Sequence, residues 1–185
     1  MPFDHFDVIA PIFARTNYSS LELMRKLAAL PTKGRLLDVG GGTGRVTLGL
    51  RADVDEIVIA DVSLGMLRQS ASLPGLRAVG GYSEALPFPD ASFERVIMVD
   101  ALHHVINHAE SACEMFRVLK PGGRIVIQEP DIQTFGVKLI ALAEKLLLMR
   151  SHFLNADSIA ALFPNAKTNI ILQDSSAWVI AEKNL

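Results

Sequence analysis

Short apolar runs alternate with amphipathic stretches along most of the chain. From Arg35 onward, five runs of four or five residues are rich in valine, isoleucine and leucine and do not alternate with polar residues. Strands that are apolar on both faces are typical of a parallel sheet that helices cover on each side. The predicted strands are Arg35–Val39, Glu56–Ala60, Leu76–Val79, Arg95–Val99 and Arg124–Gln128.

The segments between these strands have helical periodicity. In His108–Leu119, apolar residues recur at the spacing of one helix face. Strands that alternate with helices predict a right-handed, doubly wound α/β fold. The other predicted helices are Ser19–Leu30, Arg45–Leu50, Gly65–Ala71, Gly136–Met149 and a short helix begun by Asn155 or Asp157.

The last part of the chain departs from this alternation. Two further strands, Thr168–Gln173 and Ala177–Glu182, are separated by only three polar residues. So short a link predicts an antiparallel hairpin, because a parallel crossover needs a dozen or more residues. The sequence therefore predicts a mostly parallel, seven-stranded sheet with a C-terminal antiparallel hairpin. We expect a single domain, with residues 1–34 as an N-terminal helical cap and residues 35–185 as the α/β core.

Composition and charge exclude several classes of protein. The 185 residues are 50% hydrophobic, which is enough apolar material for one buried core. A formal charge of −2 provides no basic surface for nucleic acid, and a single cysteine, Cys113, excludes an internal disulfide or a cysteine-only metal site. Met1–Asp7 has no signal-peptide pattern, and Gly136–Met149 is too short to span a bilayer. We expect a cytoplasmic protein, and the sequence leaves its oligomeric state, monomer or homodimer, open.

A glycine-rich loop follows the first predicted strand directly. Gly40, Gly42 and Gly44 form a G-x-G-x-G pattern, in which the chain turns sharply and a ligand can touch bare backbone. The loop lacks the lysine of a P-loop, and a dinucleotide fingerprint needs its third glycine where Arg45 stands. Asp61 ends the second strand, where a carboxylate can accept both ribose hydroxyls of a bound nucleoside. The alternative for Asp61 is a cap on the following helix.

Four sequence blocks resemble the class I S-adenosylmethionine-dependent methyltransferases, and most of all their type 11, or ubiquinone/menaquinone-biosynthesis-like, group. They lie within about Leu36 to Gln128, in the order and spacing of the family. The resemblance implies a Rossmann-like methyltransferase fold, S-adenosylmethionine as the cofactor and S-adenosylhomocysteine as its product. The four blocks are LLDVGGGTGRVT, ADVSLGML, SEALPFPDASFERVIMVDALHHV and RVLKPGGRIVI.

The resemblance also implies a set of cofactor-binding residues. Asp38 would face the amino end of the methionine moiety, Asp61 would bind the ribose hydroxyls, and Met66 would pack against the adenine. Many relatives have an aspartate for the adenine amino group where this chain has Tyr82, so that contact departs from the family pattern. The predicted set is Asp38, Gly40, Gly42, Thr43, Gly44, Asp61, Met66, Tyr82, Ser83 and Val99.

The methyl acceptor can be narrowed by the motifs that are missing. The stretch after the fourth strand lacks the motif of nucleic-acid amino-methyltransferases and the Pro-Cys nucleophile of cytosine methylation, so a small molecule remains. The apolar segments Phe3–Tyr18 and Phe135–Met149 favour a hydrophobic acceptor, although they can also simply pack on the sheet. His103 stands where a general base could act, and its alternative is a capping or packing role. We further expect Phe3–Tyr18 to become ordered over a bound cofactor.

Two other functions stay open at this point. A non-catalytic S-adenosylmethionine-binding protein would fit the departure at Tyr82. A nicotinamide-dependent oxidoreductase would fit the glycine loop, but Arg45 at the third glycine position and the C-terminal hairpin disfavour it.

Overall fold

The computed structural model describes residues 18–134 and 152–185. Its strands are β1 (Arg35–Val39), β2 (Glu56–Asp61), β3 (Leu76–Gly80), β4 (Phe93–Val99), β5 (Leu119–Pro130), β6 (Ala166–Gln173) and β7 (Ser176–Lys183). The α-helices of the described ranges are α1 (Leu21–Leu27), α2 (Thr47–Leu50), α3 (Leu64–Ala71), α4 (His108–Val118) and α5 (Ala156–Ala161). Two 3₁₀ turns, Arg51–Asp53 and Leu102–His104, lie between them.

The strands form one seven-stranded sheet in the order β3-β2-β1-β4-β5-β7-β6. The first five strands in this order run parallel, and β7 pairs antiparallel with both β5 and β6. This confirms the predicted doubly wound α/β fold with its C-terminal hairpin. The strand order reverses between β1 and β4, and in open α/β sheets such a reversal leaves a crevice at the carboxyl ends of the two strands.

The sheet has a buried apolar face on each side, which explains the unbroken apolar runs. Along β4, Val96 and Met98 point into a core that includes α4 and α5, while Ile97 and Val99 point into a second core. The second core includes α1, α2, α3 and the buried Trp178 of β7. Both faces of the central strands are therefore apolar because both are covered.

Several element boundaries differ from the sequence prediction. Helix α2 begins at Thr47 rather than Arg45, since the preceding Gly44 has a φ of +78° and the chain is still turning. Helix α1 ends before Ala29, which has a φ of +49°. Strand β5 begins at Leu119 instead of Arg124, because Leu119 already pairs with Phe93 ahead of a register shift.

The structure shows which residue caps α5 and how the C-terminal hairpin turns. Asn155 caps α5, because its side-chain oxygen accepts the Ser158 amide at 2.8 Å. In the β6–β7 hairpin, Asp174 and Ser175 have φ values of +52° and +62°. Two successive residues with positive φ are the geometry of a tight hairpin turn that matches the twist of its strands.

Some predicted elements lie outside the described residues. These are the helix Gly136–Met149 and the N-terminal cap up to Asn17. Across residues 18–134 and 152–185, no helix is long and apolar enough to cross a membrane. The same part of the chain contains no cluster of side chains suited to hold a metal ion.

The central position of Ile97 gives a test of the fold. Ile97 is fully buried in β4, whereas Leu172 on the edge strand β6 is 55% exposed. We expect Ile97→Ala to lower the free energy of unfolding by about 2–5 kcal/mol, because it leaves a cavity between the sheet and its helices. Leu172→Ala, the matched control, should lower it by less than about 1 kcal/mol. Chemical denaturation measures both, and equal losses would contradict the assigned sheet order.

Candidate active site

A cavity of about 260 Å³ lies at the carboxyl ends of β1, β2 and β4, where the strand order reverses. The loops after these strands form its walls, as expected for a ligand site in an open α/β sheet. Nine of the predicted cofactor-binding residues line it: Asp38, Gly40, Gly42, Thr43, Asp61, Met66, Tyr82, Ser83 and Val99. The structure thus brings them together, while their role in binding stays a prediction.

The glycine loop is shaped by close backbone contacts. Gly40 has a φ of +68°, and a Cβ atom added there would lie 2.6 Å from the Cβ of Ala101 in the loop after β4. Gly44 does not line the cavity. It faces the sheet, where an added Cβ atom would lie 3.0 Å from side-chain atoms of Ile59 and Leu76. Gly40 therefore allows the loops after β1 and β4 to lie close together, and Gly44 allows its loop to pack on the sheet.

Asp38 is a buried carboxylate on the cavity wall. It is 1% exposed, and neither of its oxygens has a hydrogen-bond partner among the described residues. Burial raises the pKa of this carboxyl to about 7, while the nearby Thr47 hydroxyl, a potential donor to the carboxylate, lowers it. The charge of Asp61 raises this pKa further and that of Arg45 lowers it. An unpaired buried carboxylate is costly, so its place beside a cavity points to a cationic ligand.

Asp61 holds two backbone segments together at the end of β2. Its Oδ2 accepts the Gly42 amide at 2.9 Å, and its Oδ1 accepts the Ser63 amide at 2.8 Å. The cap of helix α3 is Ser63, whose hydroxyl accepts the Met66 amide at 3.3 Å. Asp61 is therefore not the helix cap itself, and it fixes the glycine loop against the start of α3.

His103 lies beside the cavity wall rather than on it. It is buried, its Nδ1 is 2.5 Å from Oε2 of Glu129, and its ring stacks on Phe153 with centroids 4.5 Å apart. The neighbouring His104 does line the cavity. The catalytic role of His103 stays a prediction, and the geometry shows a packed imidazole held by a carboxylate.

Glu129 is a site residue that the sequence analysis missed. Its Oε1 accepts the amides of Ala101 at 2.9 Å and Leu102 at 2.7 Å, while its Oε2 contacts His103. One carboxylate thus holds the loop after β4 from the end of β5. The sequence pattern that could have identified Glu129 is a charged residue at the carboxyl end of an apolar strand, which is the pattern that identified Asp61.

Arg45 and Asp100 form an ion pair across the reversal of strand order. Nη2 of Arg45 lies 3.0 Å from Oδ2 of Asp100, and both residues line the cavity. Asp100 has a φ of +51°, and burial and the charge of Glu129 raise the pKa of its carboxyl. The guanidinium of Arg45 also lies 5.6 Å from the ring centre of Tyr18, whose hydroxyl donates to Gln128.

The expected cover of the cavity falls mostly outside the described residues. Of the predicted segment Phe3–Tyr18, the structure describes Tyr18 alone, and Phe135–Met149 is not described. The rim that is described carries exposed apolar side chains, with Tyr82 65% and Ile106 88% exposed.

Comparison with known proteins agrees with this architecture. A family model described as a methyltransferase domain matches residues 37–127. The ubiquinone/menaquinone biosynthesis C-methyltransferase of Stutzerimonas stutzeri is 34% identical over 67% of this chain and 54% of its own length. The demethylmenaquinone methyltransferase of Mycolicibacterium vanbaalenii is 33% identical over 83% of this chain and 65% of its own. The chain thus spans about half to two thirds of the length of these curated relatives.

Solved structures share the fold over almost the whole chain. A methyltransferase of Thermotoga maritima aligns with a TM-score of 0.79 at 21% identity, covering 97% of this chain and 98% of its own. One from Aquifex aeolicus aligns with a TM-score of 0.74 at 14% identity, covering 97% and 98%. The sequence matches, together with this fold, show that the chain belongs to the class I S-adenosylmethionine-dependent methyltransferases of type 11.

Proposed function

We propose that the protein binds S-adenosylmethionine in the cavity and transfers its methyl group to a small hydrophobic acceptor. The observation that carries this proposal is the unpaired, buried carboxylate of Asp38 on the cavity wall. The cofactor of this family carries an ammonium group at its methionine end, and a buried carboxylate gains most from such a partner.

The other residues of the cavity fit the rest of that cofactor. Asp61 lines the cavity, and a carboxylate offers about four acceptor positions, so the ribose hydroxyls of the cofactor can donate to it. The exposed ring of Tyr82 and the thioether of Met66 line the same cavity and can contact the flat faces of an adenine. Gly42 lines the cavity with bare backbone, and a Cβ atom added there would lie 3.7 Å from the sulfur of Met66.

The bound cofactor would supply a methyl group on a sulfonium, so that a bond from the acceptor's nucleophilic atom to the methyl carbon would form in line as the carbon–sulfur bond breaks and S-adenosylhomocysteine leaves as a neutral thioether. The protein's contribution to such a reaction is to position the partners and exclude water. Met98, Val99 and Ala101 place apolar surface on the cavity wall at the end of β4, next to the Asp100 carboxylate. The loop that carries Ala101 is held by Glu129, so this wall is fixed before a ligand arrives.

We infer that the acceptor belongs to the class of quinone precursors. The two curated relatives are named for ubiquinone, menaquinone and demethylmenaquinone chemistry. The exposed side chain of Ile106 at the rim supports a hydrophobic acceptor, because it offers apolar area that such a molecule would cover.

A binding and turnover experiment tests this proposal. We expect calorimetry to show binding of S-adenosylmethionine, and methyl-labelled cofactor to transfer label to a water-soluble, short-chain demethylmenaquinone analogue in its reduced form. Binding without transfer to any of a panel of hydrophobic acceptors would favour the non-catalytic binding protein. If the cofactor does not bind, the proposal is wrong.

Asp61 provides a residue-level test of the ribose contact. We expect Asp61→Ala to weaken S-adenosylhomocysteine binding by about 2–4 kcal/mol, roughly 30- to 1000-fold in Kd, since both the hydroxyls and the Gly42 amide lose a charged acceptor. Ser63→Ala is the matched control, because it loosens the same turn but keeps the carboxylate. It should change Kd by less than about fivefold. Wild-type affinity in Asp61→Ala would remove the ribose assignment.

Asp38 predicts a pH dependence of binding. Its carboxyl has a pKa of about 7 in the free protein, and an ammonium beside it lowers that pKa in the complex. Affinity for S-adenosylhomocysteine should therefore be constant above about pH 8 and fall by up to about tenfold per pH unit below 7. Methylthioadenosine, which lacks the amino-acid group, should bind with little pH dependence. The same flat profile for both ligands would contradict the contact.

The same pKa predicts the opposite trend for the stability of the free protein. Between about pH 4 and 7 the folded state binds more protons at Asp38 than the unfolded chain does, so this group's contribution to stability decreases as pH rises. We therefore expect Asp38→Asn to bind ligand poorly yet to unfold at a higher temperature than wild type at pH 8, as thermal unfolding would measure. A lower unfolding temperature would mean that the amide is no better accommodated than the carboxylate.

A further inference from the structure

The charges around the cavity are strongly unequal. Its described lining carries the four carboxylates of Asp38, Asp61, Glu84 and Asp100 and one guanidinium, that of Arg45. Such a site attracts a ligand with net positive charge. S-adenosylmethionine fits, because it carries a sulfonium, an ammonium and one carboxylate. The ligand's single anionic group therefore has Arg45 as its cationic partner among the described lining residues.

Arg45 is placed where it can reach the amino-acid end of a ligand. It directly follows the glycine loop, and its charge is close enough to Asp38 to lower the pKa of that carboxyl. The ammonium and carboxylate of an amino acid share one carbon atom, so a ligand whose ammonium meets Asp38 presents its carboxylate a few ångströms away. The face of the Tyr18 ring supports the guanidinium in this position.

In the structure the partner of Arg45 is Asp100, across the cavity, with Nη2 and Oδ2 3.0 Å apart. Asp61 and Glu84 each accept two backbone amides, whereas the Asp100 carboxylate accepts, among the described residues, the hydrogen bond from Arg45. A ligand carboxylate would therefore compete with one side chain for one guanidinium.

We propose that Arg45 is the specificity-determining residue for the carboxylate of the cofactor, and that it exchanges its ion pair with Asp100 for that carboxylate when the cofactor binds. This inference rests on the proposed function. Arg45 stands where a dinucleotide fingerprint has its third glycine. A guanidinium can bind a carboxylate through two parallel hydrogen bonds, and a glycine has no side chain to do so.

The test compares S-adenosylmethionine with its decarboxylated form, which keeps the ammonium and the sulfonium. By calorimetry, wild type should prefer S-adenosylmethionine by about 30-fold. Arg45→Gln should remove that preference and should not weaken binding of the decarboxylated ligand, because that ligand is cationic and has no carboxylate for Arg45 to bind. Arg77→Gln is the matched control. It breaks another arginine–carboxylate pair, with Glu56 at 2.8 Å and away from the cavity, and should leave both affinities unchanged.

Asp100→Asn tests the exchange itself through the sign of its effect. Asparagine tolerates the positive φ of this position and no longer competes for the guanidinium. We expect it to tighten S-adenosylmethionine binding by about three- to tenfold and not to tighten binding of the decarboxylated ligand. Weaker S-adenosylmethionine binding in Asp100→Asn would overturn the exchange.

Two further outcomes separate this inference from the function on which it rests. If wild type binds both ligands equally well, or if Arg45→Gln weakens both equally, Arg45 does not recognise the carboxylate, and the proposed function still stands. If wild type binds neither ligand, the proposed function fails, and this inference fails with it.

Discussion

The cavity depends on carboxylates that hold the loop of a neighbouring segment by its backbone amides. Asp61 at the end of β2 accepts the Gly42 amide of the β1 loop, and Glu129 at the end of β5 accepts two amides of the β4 loop. Glu84 does the same for Ile106 and for the residue after it. Hydrogen bonds to a charged acceptor are roughly twice as strong as neutral ones. Loops without regular secondary structure are thereby ordered at the place where a ligand must touch them.

Asp38 stands out against this pattern, because its oxygens have no such partner within residues 18–134 and 152–185. Burying a charge without compensation lowers the stability of a fold, and the raised pKa of this carboxyl expresses that cost. A cation that binds beside the carboxylate offsets this cost, because it pairs with the buried charge. In the proposed function, the same residue thus reduces the stability of the free protein and would contribute to its affinity for the cofactor.

Much of the fold could be predicted from the sequence, because its strands are buried on both faces and therefore read as unbroken apolar runs. The C-terminal hairpin could also be predicted, because the link between its two strands is long enough only for a tight turn. The boundaries of α2 and β5 were not, because they depend on the φ of Gly44 and on the pairing of Leu119 with Phe93. Those are tertiary features, and a local pattern does not contain them.

For the site, sequence reasoning found Asp38 and Asp61 near the ends of their strands, but it missed Glu129 and the contacts of all three. Asp38, Asp61 and Glu129 look alike in the sequence, as carboxylates at or near the end of an apolar run. The structure separates them, since Asp61 and Glu129 bind amides whereas Asp38 is unpaired in the described residues. Which carboxylate binds backbone amides is decided by the positions of neighbouring loops, and these come from segments far away in the sequence.

The same electrostatic reasoning explains why this glycine loop does not suit a nicotinamide dinucleotide. A dinucleotide places its pyrophosphate against a helix N-terminus that a third glycine leaves open. Here Arg45 occupies that position, its guanidinium is engaged with Asp100, and α2 begins only at Thr47 and is four residues long. The four carboxylates of the cavity would repel two phosphates, whereas they attract a sulfonium and an ammonium. The departure from the dinucleotide pattern at one residue and the charge of the whole cavity therefore select the same class of ligand.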